Sequence, residues 1–145
     1  MPIPDRRQAA GMSLHAEVQR FYVHQLGLLD DDRPDDWADL FTPDADFREV
    51  TGTRLHGREE IRASVRRRHE HVVTTGLDFF RHWLGMLQAS ATPAGTVHAR
   101  SYALAMYTPA DNALRVYVNV VCEDVLIPHG STFMVRSRHL RADGR

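Results

Sequence analysis

Apolar residues in the first half of the chain recur at the spacing of helix faces. A first predicted helix begins with Ser13 as its N-cap and ends in the acidic run 30–32. Its inward face consists of Leu14, Val18, Phe21, Tyr22, Gln25 and Leu29. Pro34 suits the first turn of a short second helix, which continues through Trp37. Gly57 precedes a third helix, with acids in its first turn and arginines in its last.

The second half of the chain has the pattern of long strands. Four segments rich in Val, Leu, Tyr, Phe and Met are separated by short Pro-containing turns, and they cover 78–90, 96–108, 114–127 and 132–140. A shorter strand is predicted at 46–50, after a turn at 42–44. Short connections favour antiparallel pairing. Helices followed by strands predict an α+β, cone-shaped fold, with about three N-terminal helices on a strongly curved, mainly antiparallel sheet that encloses one pocket.

The length of the chain suits one domain. We expect a flexible N-terminal arm over 1–12, a single domain over 13–141 and a short tail over 142–145. The strand 114–127 is apolar on both faces: alternation places Val116, Val118 and Val120 on one side and Tyr117, Val121 and Val125 on the other. This pattern predicts a homodimer through the outer face of the sheet, and a central strand inside a monomer is the alternative.

Charge and composition exclude several functions. The net charge of −1 predicts no nucleic-acid partner, and no apolar run is long enough to span a bilayer. All 18 residues counted as Lys or Arg are arginine, so the chain has no lysine that could form a Schiff base with a substrate. The cluster 66–68 fits the last turn of a helix, with a phosphate-binding patch as the alternative. A single cysteine, Cys122, and a start without a secretory signal fit a cytoplasmic protein.

Several segments together resemble one known superfamily. They are Glu17-x-x-x-Phe21-Tyr22, Leu28-Leu29-Asp30, Trp37-x-x-Leu40-Phe41-x-x-Asp44-x-x-Phe47, Gly57-Arg58-Glu59-x-Ile61 and Arg81-His82-x-Leu84-Gly85. Their order and spacing resemble the nuclear-transport-factor-2-like superfamily, in particular SnoaL-like domains, scytalone dehydratase and the small β subunits of aromatic-ring-hydroxylating dioxygenases. The chain departs from that pattern at Met86, where an asparagine is common.

The resemblance implies a catalytic pair. In scytalone dehydratase an aspartate at the end of the first helix orients a strand histidine, which removes a proton beside a carbonyl. The resemblance places these roles on Asp30 and His82. Tyr102 stands near the position of a second histidine in that enzyme, so it is predicted to be a third catalytic residue. A phenol can donate a hydrogen bond to a developing enolate, but it is a poor base at neutral pH.

The predicted pocket is apolar, with few polar groups. Its predicted substrate-binding residues are Asn119, Tyr22, Trp37, Leu84, Met86 and Tyr117. Which of Glu49, Glu123 and Asp124 faces the pocket stays open, although an inward acid could pair with an arginine such as Arg100 or Arg115. His69 and His71 do not share a helix face, so no metal is predicted, and no cofactor motif is present.

These features predict an enzyme with a small-molecule substrate and no cofactor. It would catalyse cyclisation, isomerisation or dehydration of an apolar polyketide-type intermediate in secondary metabolism. Proton transfer and conformational templating, including pericyclic ring closure, are both open at this point. The alternatives are a non-catalytic partner of a ring-hydroxylating oxygenase, similar to its β subunit, and a binding protein for a hydrophobic metabolite.

Overall fold

The computed structural model describes residues 6–74, 80–109, 111 and 113–143. Three helices, α1 (Arg6–Asp30), α2 (Pro34–Ala38) and α3 (Arg58–Thr74), pack on six strands. The strands are β1 (Phe41–Arg48), β2 (Arg54–His56), β3 (Phe80–Ala91), β4 (Val97–Tyr107), β5 (Arg115–His129) and β6 (Thr132–Ala142). The predicted α+β class, the three helices and the four long strands are confirmed. The three-residue strand β2 was not predicted because it is too short to show alternation.

The strands form one mixed sheet in the order β2-β1-β6-β5-β4-β3, which is not closed into a barrel. Strands β3 to β6 make the predicted antiparallel meander. Strand β1 returns to pair with β6 in parallel, and β2 pairs antiparallel with β1. In the described part of the chain, every helix is too short or too polar to cross a bilayer.

Two predicted boundaries differ from the structure. Helix α1 begins at Arg6, and Ser13 lies inside it, where its hydroxyl contacts the Glu17 carboxylate instead of capping the helix. Residues 1–5 of the predicted arm lie outside the described residues. The predicted turn 42–44 lies in β1, where the register with β6 shifts between Phe41 and Asp46. Pro43 lies in this irregular stretch, which tolerates the missing backbone N–H of a proline.

The arginine cluster 66–68 lies within α3, because the helix continues to Thr74. Arg66 pairs with Asp35 of α2, at 2.7 Å. Arg62, one turn earlier, contacts Asp35 and Asp39, so the two helices are joined by several ion pairs. The prediction that the cluster forms the last turn of the helix is therefore wrong.

The core lies between the helices and one face of the sheet, which we call the inner face. Helix α1 packs on β3 and β6, and these strands flank β4 and β5 in the sheet. Trp37 of α2 packs edge-on against the aromatic ring of Phe41, with 4.8 Å between ring centroids. The buried residues of the main apolar cluster are Val18, Phe21, Tyr22, Leu28, Trp37, Ala38, Phe41, Ala45, Phe47, Ile61, Val97, Ala99, Leu126, Phe133 and Val135.

A bulge in β5 decides which side chains share a face. Val118 pairs with Ala105 of β4, whereas Val116 pairs with the next residue, Met106. Because neighbouring residues of β4 point to opposite faces, Val116 and Val118 lie on opposite faces too. The expectation that they share a face is wrong, since the bulge inserts Tyr117 as an extra residue and breaks the alternation.

Candidate active site

Asp30 and His82 meet on the inner face. Asp30 is the last residue of α1, and His82 lies near the start of β3. The Nδ1 atom of His82 lies 2.6 Å from Oδ1 of Asp30, and the backbone N–H of His82 donates to Oδ2 at 3.2 Å. Both side chains are reachable from solvent, with 17% of Asp30 and 23% of His82 exposed. The structure thus brings together the two residues that the resemblance paired.

This geometry selects one tautomer of the neutral imidazole. An ionised carboxylate can only accept hydrogen bonds, so Nδ1 of His82 carries the hydrogen that Asp30 receives. Nε2 is then the nitrogen with a lone pair, which can accept a proton from another molecule. Two contacts from one residue hold the carboxylate in place. The pair therefore has the arrangement of an oriented general base.

Small side chains surround the imidazole on the neighbouring strand. His82 pairs with Ala105 of β4, and Leu84, two residues along β3, pairs with Ala103. Leu84 is half-buried against the core. The predicted binding residue Leu84 therefore lies on the same face as His82, and the facing side chains of β4 at these two positions are small.

The structure does not bring Tyr102, Asn119, Tyr117 or Met86 to the Asp30–His82 pair. Tyr102 lies between Ala103 and Ser101 in β4 and therefore points to the opposite, outer face, where the Arg100 guanidinium lies 5.5 Å from its ring centroid. Asn119 pairs with Leu104 of the same outer face and donates to Asp143.

Tyr117 and Met86 lie at strand irregularities and are exposed. Met86 has a φ of 52°, in the left-handed region. Extended alternation fails at both positions, because each lies where the pairing register shifts. The sequence pattern therefore could not assign a face to either side chain.

The other two predicted binding residues, Tyr22 and Trp37, are buried in the core. Trp37 belongs to the aromatic cluster with Phe41 and Phe47. Tyr22 points from α1 to the sheet, where its hydroxyl donates to Oδ2 of Asp124 at 2.6 Å. Both residues shape the interior without contacting the Asp30–His82 pair.

A buried polar cluster lies beneath α1, and sequence reasoning did not find it as a unit. Arg138 of β6 donates from Nε to Oδ1 of Asp124 at 3.0 Å and from Nη2 to Oδ2 at 2.9 Å. Nη2 also donates to Oε1 of Gln25 at 2.7 Å. We call Tyr22, Gln25, Asp124 and Arg138 the inner polar cluster. The sequence signal that could have revealed this cluster is the set of polar residues at inward-facing positions of α1, β5 and β6.

The strand register decides which of the two neighbouring acids, Glu123 and Asp124, faces the interior. Asp124 points inward and pairs with Arg138, while its neighbour Glu123 points outward, 3.6 Å from Arg100. Glu49, at the end of β1, accepts a hydrogen bond from Ser64 of α3 at 2.7 Å. Neither Glu123 nor Glu49 contacts the Asp30–His82 pair.

Burial determines the protonation of the inner polar cluster. Burial raises the pKa of Tyr22 far above its usual range, and the nearby Asp124 carboxylate raises it further. The same two causes raise the pKa of the Cys122 thiol. Burial disfavours the charged form of Arg138, but the Asp124 carboxylate raises the pKa of Arg138 above its usual value. The cluster therefore holds a neutral phenol and a charged guanidinium, and the neighbouring Cys122 is a neutral thiol.

The outer face carries two depressions, of about 590 Å³ and about 360 Å³. Gln88, His98, Arg100, Glu123, Ser137 and His139 line the larger one. They lie across the sheet from the Asp30–His82 pair. Among the described residues, no group of three or more His, Cys, Asp and Glu side chains is placed to hold a metal ion. The absence of a metal or cofactor stays a prediction.

Three helices on one face of a mixed six-stranded sheet form the nuclear-transport-factor-2-like α+β cone fold. Residues 11–139 match the SnoaL-like domain family, and the chain belongs to that family. The resemblance inferred from the sequence motifs is therefore confirmed. A comparison with curated proteins gave no match.

Solved structures from actinobacteria have the same fold. ActVI-ORFA from Streptomyces coelicolor is 31% identical, with a TM-score of 0.79 over 91% of this chain and 99% of that chain. A Catenulispora acidiphila protein in complex with S-DNPA is 31% identical, with a TM-score of 0.79 over 92% and 96%. Aln2 from a Streptomyces species is 28% identical, with a TM-score of 0.80 over 98% and 95%.

Proposed function

We propose that this SnoaL-like protein is a cofactor-independent enzyme that moves a proton on an oxygenated, polyketide-type small molecule. The reaction would be an isomerisation, a cyclisation or a dehydration. His82 would be the catalytic base and Asp30 its positioning residue. The observation that carries the proposal is the two-point contact between Asp30 and His82 at a partly exposed position of the inner face.

The proposed step follows from the tautomer of the imidazole, in which Nδ1 carries the hydrogen and Nε2 the lone pair. Nε2 of neutral His82 takes a proton from a carbon beside a carbonyl, and the electron pair of the broken C–H bond moves onto the carbonyl oxygen as an enolate. The Asp30 carboxylate stabilises the imidazolium that forms. The imidazolium then returns the proton, either to another carbon, which isomerises the substrate, or to a departing hydroxyl, which leaves as water.

The surroundings of the pair support an apolar substrate. Leu84, Ala103 and Ala105 flank the imidazole on the inner face, and apolar walls exclude water and strengthen the electrostatic effect of the Asp30 carboxylate. A relative at 31% identity has been solved with S-DNPA bound. We therefore use S-DNPA as the first probe.

The test is solvent deuterium incorporation and product formation, followed by mass spectrometry in heavy water. We expect the wild-type protein to accelerate exchange, and His82→Gln to lower the rate by about a hundredfold or more. Asp30→Asn removes the negative charge that stabilises the imidazolium and replaces one of the two acceptor oxygens by an NH2 donor, so it is expected to lower the rate about tenfold or more. His98→Gln is the matched control, because His98 is an exposed histidine of the outer face, in the larger depression.

The outcomes separate the candidate functions. If His82→Gln and Asp30→Asn each keep the rate within about twofold of wild type, general-base catalysis is wrong and conformational templating is favoured. Retention of S-DNPA without turnover would instead favour a binding protein.

We further propose that the outer face binds a second copy of the chain. Six large apolar residues of the outer face or its margin are exposed: Trp83, Met86, Tyr102, Leu114, Val116 and Tyr117. A patch of this kind is typical of an interaction surface. Arg100 and Glu123 lie beside it on the same face, and a two-fold axis would allow the cation of each copy to meet the anion of the other.

Sedimentation velocity tests this assembly. We expect wild-type protein to sediment as a dimer and Trp83→Glu to sediment as a monomer. Val23→Glu is the control, because Val23 is similarly exposed but lies on α1. A monomeric wild-type protein would contradict the proposal.

A further inference from the structure

Two buried hydrogen bonds tie α1 to the sheet. Tyr22 donates to Asp124 of β5, and Gln25 accepts from Arg138 of β6. Asp124 and Arg138 are register partners on adjacent strands and bind each other. The helix is therefore joined to a rigid ion pair at two positions that are three residues apart on one helical face.

Directional contacts of this kind fix the position of a helix more narrowly than apolar packing does. The neighbouring α1 side chains Val18, Phe21 and Leu28 make apolar contacts, which tolerate small shifts. A shift of one residue would move α1 by about 1.5 Å and rotate it by about 100°. Both hydrogen bonds would then break, and polar groups that are buried in the protein would lose their partners, which is costly.

The same helix carries Asp30 at its end. Gln25 and Asp30 are separated by about 7.5 Å along the helix axis, so any movement of α1 at Gln25 is transmitted to Asp30. Asp30 must lie within hydrogen-bond distance of His82, on β3 at the opposite side of the meander. The position of the carboxylate thus depends on how α1 is placed over β5 and β6.

We propose that the inner polar cluster is a register lock, and that its four residues are positioning residues which hold Asp30 against His82. The expected effect of the cluster on catalysis rests on the proposed function. The claim that the cluster holds Asp30 against His82 does not. Buried ionic groups have their best-attested role as devices that select one packing register. Here the selected register is the one in which the carboxylate and the imidazole meet.

The test measures the Asp30–His82 contact itself, in protein without ligand. A hydrogen bond to a carboxylate shifts the proton on Nδ1 of His82 far downfield in the NMR spectrum and protects it from exchange. We expect this signal in wild-type protein. Tyr22→Phe and Gln25→Leu should weaken it and speed its exchange about tenfold or more, because the contact opens more often.

Two further variants distinguish positioning from stability. Gln25→Glu retains an acceptor for Arg138 and should restore the signal relative to Gln25→Leu. Val18→Ala removes buried volume from the same helix without touching the cluster, and it should destabilise the protein while the signal persists. Crystal structures of wild type, Tyr22→Phe, Gln25→Leu and Val18→Ala provide a second measurement, the distance from Nδ1 of His82 to Oδ1 of Asp30.

The inference is overturned if the Nδ1–H signal and this distance are the same in Tyr22→Phe, Gln25→Leu and wild type. It is also overturned if Val18→Ala disturbs the contact as much as Tyr22→Phe does. Where turnover is observed, loss of the lock should lower kcat by up to about a hundredfold with a smaller effect on KM. Absence of turnover in every variant would contradict the proposed function alone.

Discussion

Removing Arg138 should destabilise the protein strongly. Its guanidinium and the Asp124 carboxylate are almost completely buried, with 5% and 0% of the side chains exposed. Arg138→Met retains an apolar stem of similar length but leaves the carboxylate without its cation. Tyr22 and Cys122 then remain as its hydrogen-bond donors. Breaking a buried pair from one side costs about 3–5 kcal/mol, and we expect that loss in the free energy of unfolding.

The double variant Asp124→Leu/Arg138→Met should be more stable than Arg138→Met. Removing both charges also removes their desolvation cost, and apolar side chains can fill the space. The remaining loss comes from the Tyr22 hydroxyl and the Gln25 amide, which lose their partners. Each unsatisfied buried group costs about 1–3 kcal/mol, and the removed desolvation cost of the two charges offsets part of this loss. The double variant should therefore lose less stability than Arg138→Met.

Urea unfolding followed by circular dichroism measures all four proteins of this double-mutant cycle. The midpoint should shift while the m-value stays constant, which indicates a change of stability alone. We expect strong coupling, with the double variant far more stable than the sum of the two single losses predicts. Additive losses, or a cost below about 1 kcal/mol for Arg138→Met, would refute a tightly coupled buried pair.

Three further predictions concern single sites. Met86→Gly should stabilise the protein by about 0.5–1 kcal/mol in thermal unfolding, because the exposed Met86 has a left-handed backbone conformation and glycine relieves its strain. Cys122, the single cysteine of the sequence, should react with a thiol reagent more than about a hundredfold faster after unfolding, because burial raises its pKa. The His139 hydrogen bond lowers the pKa of Asp46, so this contact stabilises the protein above the ordinary aspartate pKa and is lost as the pH falls through the folded-state pKa. His139→Ala should therefore be less stable than wild type by under about 1 kcal/mol near pH 6, a difference that disappears near pH 2 in urea titrations.

The sequence by itself determined the elements and the family. Helix and strand periodicities depend on residues a few positions apart, so the start of α3 and the four long strands β3 to β6 were correctly predicted. The motif around His82 and the aspartate at the end of α1 identified the SnoaL-like pattern, and the predicted pair, Asp30 and His82, lies in contact.

Only the tertiary structure decided which polar residues face the interior. A shift of one residue in a strand exchanges its two faces, and the bulges in β3 and β5 make such shifts at Met86 and Tyr117. The register places Tyr102 outward, although its position in the sequence suggested a catalytic residue. The same register brings Asp124 of β5 to Arg138 of β6. The hydrogen bonds from Tyr22 and Gln25 of α1 to this pair join residues that are far apart in the chain, so they leave no local pattern in the sequence.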